Sequence, residues 1–139
     1  MTDREKIVQE ALSWKGTPYH QCARIKGVGA DCGLFIAQVY ENAGVLPHIE
    51  PGFYTAEHAL HSSKEIFKGL VEKYLYPVKN PLPGDLILYK FGLCRSHAAL
   101  VIDYPKIIHS YIRQGVIIDT DFNSELKDIE KDFYSIWKE

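Results

Sequence analysis

Across Asn80-Pro81-Leu82-Pro83-Gly84-Asp85 the apolar residues of this chain change period, from helical spacing before the turn to short β-branched runs after it. Upstream, Ile7, Val8, Ala11 and Leu12 mark one face of a helix predicted over residues 3–14, with Asp3 at its N-cap. Residues 15–31 lose all periodicity and read as a long loop, with Gly16, Pro18, Gly27 and Gly29 permitting tight paths. The helical period returns abruptly at Cys32. Phe35, Ile36, Val39, Tyr40 and Ala43 line one face, Asp31 sits at the N-cap position and Gly44 supplies the stop.

Residues 45–80 contain Pro47, Pro51 and Gly52, then helical patterns at 57–61 and 63–74, and read as an insertion that decorates a site rather than building the core. Beyond the turn, runs at 86–89, 97–103, 106–111 and 116–119 predict a meander of antiparallel strands. A helical stretch at 124–131 and a closing strand at 133–137 follow. Helices first and strands after define an α+β fold, in which the helix headed by Cys32 packs on an antiparallel sheet that carries His97 and His109.

Composition sets the outer bounds. With 139 residues, 46% hydrophobic and 24% charged, the chain is expected to be a single domain over 1–139, burying roughly two-thirds of its unfolded surface. A net charge of −2, with no clustered cations, argues against nucleic acid as a partner. No apolar run approaches the roughly 20 residues of a membrane helix, and Met-Thr-Asp-Arg-Glu-Lys lacks a secretory signal. The expectation is a product made in the cytoplasm, without a signal peptide and without a membrane partner.

Three cysteines, Cys22, Cys32 and Cys94, are too few for a disulfide framework and form no CxxC pair. Only Cys32 heads a helix, where unpaired N–H groups and the dipole favour a thiolate. A thiolate nucleophile needs a base from elsewhere in the chain. His97 opens a strand and His109 lies in the next one, so the second ring can orient the first as the third member of a triad does. Taken singly, each histidine reads as an ordinary half-buried strand residue; the ordered set points to chemistry. Cys22 and Cys94 read as structural, and His20, His58 and His61 as solvated, although the last two have the spacing of a metal pair. Zinc bound by Cys32, His97 and His109 is the rival reading, since these are ligand types zinc prefers.

Five segments together carry a family resemblance: Gly16-Thr17-Pro18-Tyr19, Ala30-Asp31-Cys32, Pro83-Gly84-Asp85-Leu86-Ile87-Leu88-Tyr89, Ser96-His97-Ala98-Ala99-Leu100-Val101-Ile102 and Ile108-His109-Ser110. Their order and spacing from Ile7 to Ile118 resemble the NlpC superfamily of cell-wall cysteine peptidases, which have a papain-like fold. The wording from Tyr19 to Ala30 is similar to short members of phages and prophages, which implies tail proteins as partners and a virion-associated or wall-delivered enzyme.

The resemblance implies Cys32 as nucleophile, His97 as base and then acid, and His109 as its orienting partner. It further implies that Tyr19 assists the oxyanion or the substrate, that Asp31 helps hold the substrate's L-alanine amine, and that no metal or organic cofactor takes part. The implied reaction is hydrolysis of a peptidoglycan stem peptide at the bond between γ-D-glutamyl and a diamino acid, through a thioester. Gly33 departs from the family's Ser after the nucleophile, which removes a hydroxyl from amine recognition. Two alternatives keep the same residues: a non-catalytic tail or adaptor protein that binds with this fold, and a thiolate acyltransferase or other amidase.

Overall fold

A computed structural model of the chain describes residues 1–51 and 66–139. Helix α1 (Asp3–Leu12) starts at the predicted residue but ends before the predicted Trp14, and its N-cap is Thr2 rather than Asp3. The Thr2 hydroxyl accepts from the Glu5 amide while the Glu5 carboxylate accepts from the Thr2 amide, a reciprocal capping box. The loop that follows is partly ordered by a short hairpin, β1 (Arg24–Ile25) and β2 (Gly29–Ala30), too brief to leave an alternating pattern.

Helix α2 (Cys32–Asn42) starts where the sequence places it: Asp31 accepts the Leu34 amide, 2.9 Å away. The pattern at 57–61 lies outside the described residues, whereas the one at 63–74 appears as α3 (Ile66–Tyr74). Its Phe67, Val71 and Tyr74 pack on the main core, so the described end of the insertion builds the core as well as flanking the site.

Six strands form one antiparallel sheet: β3 (Tyr76–Val78), β4 (Leu86–Phe91), β5 (Cys94–Asp103), β6 (Lys106–Tyr111), β7 (Gly115–Thr120) and β8 (Lys131–Ser135). Their order, β3-β8-β4-β5-β6-β7, is a meander into which the last strand returns beside β4. Alternation divides the buried residues between two faces. Leu86, Leu88, Ala98, Leu100 and Ile108 face α1 and α2 through Ile7, Trp14, Phe35 and Val39. Ile87, Tyr89, Ala99, Val101 and Ile107 form a second cluster, closed by Leu126. Burial on both sides explains why β4 reads as a continuous apolar run.

The predicted helix at 124–131 is instead a succession of turns. The Asn123 side-chain oxygen takes the Glu125 and Leu126 amides, and although Lys127 bonds back four residues to the Asn123 carbonyl, Leu126 and Ile129 bond back only three. Lys131 then claims the Leu126 carbonyl with its ammonium. With Leu126 the one fully buried side chain of the stretch, no apolar stripe sustains a helix there. Among the described residues no helix is long and apolar enough to cross a membrane.

Candidate active site

The β5–β6 ladder ends at Leu100↔Ile108, although both strands continue beyond it. The N-terminus of α2 meets the sheet at this fork. Ser110 Oγ donates to the Ala30 carbonyl at 2.7 Å, which ties β6 to the residues just before the helix. The Cys32 thiol donates to the Ser96 carbonyl at 3.6 Å and receives the Ala98 amide, so the sulfur lies against the backbone groups on either side of His97.

On the far side of β5 the register places His97 opposite Tyr89, and β6 and β7 place Asp119 opposite Ile107. His97, His109 and Asp119 therefore share the second face of the sheet. His97 Nε2 lies 2.8 Å from His109 Nδ1, and His109 Nε2 lies 3.0 Å from Asp119 Oδ2. Phe91 stacks on the His97 ring at 5.0 Å and Tyr111 stacks on that of His109 at 5.0 Å. Both imidazoles are buried, His97 at 5% and His109 at 0% exposure.

The electrostatics of the resting site differ from the sequence expectation of a preformed thiolate. Cys32 is only 6% exposed, and burial, followed by the negative charge of Asp31, pushes its thiol up to about 12. The amides of Ala98, Gly33 and Cys32 act in the opposite direction without overcoming it. Burial, and then the proximity of His109, holds His97 well below the usual imidazole range. Burial also lowers His109, against the pull of Asp119 and Glu125. Thiol and imidazole are thus both neutral at rest, because burial costs the charged form of Cys32 more than its neighbouring amides return.

Tyr19 is half-buried and its backbone pairs with Ala30, directly before the helix. Its ionisation is suppressed by burial and then by Cys32, Asp31 and Cys22, so it stays a neutral hydroxyl donor, here to Gln21 at 3.2 Å. Asp31 is buried, and its two oxygens receive the Leu34 and Cys22 amides. Cys22 is exposed on the loop and His20 is exposed beside it; Cys94 begins β5. His58 and His61 lie outside the described residues.

A Cβ added at Gly33 would approach Phe67 Cζ to 3.2 Å, so α3 takes up the space a larger residue after Cys32 would need. The zinc alternative requires His97 and His109 each to turn a nitrogen to a common ion. Their facing nitrogens instead bond one another, and among the described residues no group of three or more His, Cys, Asp or Glu is arranged to hold a metal. Asp119 is the site residue that sequence reasoning missed. Its one signal is the β6–β7 register, which sets it diagonal to His109 on one face.

A helix-borne cysteine at the fork of an antiparallel sheet, with a strand-borne pair of histidines, defines the class of Cys–His α+β proteins to which the site belongs. The NlpC/P60 family model matches residues 13–129, and the chain is a member of that family. Among solved structures it is similar to the NlpC/p60 domain of the peptidoglycan hydrolase SagA, at 19% identity and a TM-score of 0.61, covering 94% of this chain and 97% of that one. It is also similar to an NlpC/P60 family protein of Bacillus cereus ATCC 10987, at 19% identity and a TM-score of 0.63, covering 93% of this chain but 39% of that one. RipD of Mycobacterium tuberculosis, described as a non-catalytic NlpC/p60 domain protein adapted to peptidoglycan binding, aligns over 99% of both chains at 18% identity and a TM-score of 0.61. No curated protein matches the sequence. These likenesses establish an NlpC/P60 α+β fold.

Proposed function

We propose that the chain is a cysteine peptidase that hydrolyses peptidoglycan stem peptides, with Cys32 as nucleophile, His97 as base and acid, and His109 as the residue that orients His97. The observation that carries this reading is the Cys32 sulfur, 3.6 Å from the Ser96 carbonyl and so against the backbone that leads into His97, whose Nε2 is committed to His109. That commitment leaves His97 Nδ1 to receive the thiol proton as the sulfur attacks the scissile carbonyl. Because the resting thiol is neutral, proton transfer and attack are coupled rather than sequential. The amine leaves with the proton from His97, and a thioester remains on Cys32. Water, deprotonated by His97, then releases the acid and regenerates the thiol.

The Cys32 amide and the Tyr19 hydroxyl are the donors assigned to the oxyanion. Asp31 supplies negative charge next to the nucleophile for the L-alanine amine, without the hydroxyl that Gly33 lacks. The bond proposed is that between γ-D-glutamyl and a diamino acid, and the resemblance of the sequence from 19 to 30 to phage and prophage members is what supports a tail- or virion-associated setting.

One observation favours a binding-only protein: a buried, protonated Cys32. Digestion of purified peptidoglycan, read by mass spectrometry, separates the two. Wild type is expected to release fragments whose masses name the bond cut, and Cys32→Ala, shown folded by circular dichroism, to release none. Sedimentation of the wild type with peptidoglycan and no fragments at all would overturn the peptidase reading in favour of binding.

A further inference from the structure

Asp119 holds three donors at once. Its Oδ1 accepts the Thr120 amide at 2.8 Å and the Asn123 side-chain amide at 2.9 Å, and its Oδ2 faces His109 Nε2 at 3.0 Å. Burial works to raise the Asp119 carboxyl, but Asn123, Thr120 and His109 together hold it below the usual carboxylate range. An ionised carboxylate can only accept. His109 must therefore carry its proton on Nε2, which leaves Nδ1 as a lone pair. The facing nitrogen, His97 Nε2, must then be the N–H of that 2.8 Å contact, and His97 Nδ1 must be unprotonated. Glu125, the other carboxylate that acts on His109, is engaged with the Tyr111 hydroxyl and contributes only its charge.

We infer that Asp119 is a positioning residue that sets the direction of the Asp119–His109–His97 hydrogen-bond chain, and so leaves His97 with its lone pair on the one nitrogen able to act as base. The kinetic part of this inference rests on the peptidase reading above; the proton positions do not.

The anchoring of Oδ1 makes the inference sharply testable. In Asp119→Asn the amide oxygen must face its two donors, Thr120 N–H and Asn123 Nδ2–H, so its NH2 group turns to His109 Nε2. The chain then reverses: His109 Nδ1–H donates to His97 Nε2, and His97 Nδ1 carries the proton. Asp119→Ala removes the bias without reversing it. The expected rank for turnover of a stem peptide is therefore wild type, then Ala lower by about 10–100-fold, then Asn lower by about 10³–10⁴-fold, with KM changed little. A residue that merely braced the fold would give the opposite order, since Asn is the closer mimic of Asp. Equal or better activity in the Asn variant than in the Ala variant overturns the assignment.

Long-range 15N–1H correlation spectra of the imidazoles at pH 7.5 provide the readout independent of turnover. His97 should be the Nε2–H tautomer in the wild type and the Nδ1–H tautomer in Asp119→Asn; the same tautomer in both overturns the inference. Tautomers that switch in a protein whose wild type cleaves nothing would support the relay and sink the peptidase reading alone.

Discussion

At the residue scale, Cys32 combines two opposing influences whose ranking is set by how deeply the fold buries it. Heading α2 gives its sulfur nearby amides, yet burial and Asp31 leave a thiol with a pKa of about 12. Since only the thiolate alkylates, the sign of the pH dependence follows: raising pH toward 12 increases the reactive fraction about tenfold per unit, and neutral pH suppresses it. Iodoacetamide mapped by peptide mass spectrometry should modify exposed Cys22 before Cys32 at pH 7, with Cys32 labelling rising steeply above pH 9. Faster labelling of Cys32 at pH 6 would restore the preformed thiolate expected from the sequence. Residue type singles out Cys32, His97 and His109 as candidates, because few side chains serve as nucleophile and base. Asp119 was not legible: an aspartate at a strand end has no signature until the β6–β7 register sets it beside His109.

At the element scale, the strands were readable because β-branched runs between turn residues have few other solutions. What escaped were pieces too short to show a period, β1, β2 and β3, and the 121–129 turns, where Asn123 capping replaced a helix that composition alone permits. Backbone pairing also extends where no pattern reports it. Gly16 donates to the Val116 carbonyl and Val116 to the Thr17 carbonyl, which fastens the start of the site loop to β7. Gly115 makes this approach feasible, with φ at 76° and a Cβ position only 2.4 Å from the Thr17 carbonyl oxygen. Gly115→Ala therefore meets both a left-handed backbone and a backbone clash. It should lose about 2–4 kcal/mol in urea unfolding and weaken stem-peptide turnover through Tyr19, whereas a loss under 0.5 kcal/mol would show that the junction relaxes freely.

At the scale of the whole molecule, the helices and the sheet are clasped at the turn where the period changes. Arg4 on α1 donates to Asp85 Oδ1 and the Pro83 carbonyl, both at 2.8 Å, and the Tyr40 hydroxyl of α2 donates to the Gly84 carbonyl at 2.8 Å. These bonds orient both helices on one sheet face, which brings the α2 N-terminus to the β5–β6 fork. The α+β order was legible because the periodic segments are long. The return of β8 between β3 and β4 was not, since strand order depends on long-range packing that no local pattern records. The proposed peptidase chemistry requires a covalent acyl intermediate at Cys32. Acid quenching of the wild type with a stem peptide, followed by intact-mass analysis and peptide mapping, should find the acyl group on Cys32 and none in Cys32→Ala. Turnover that persists in Cys32→Ala, or an adduct on Cys22 or Cys94 instead, would contradict it.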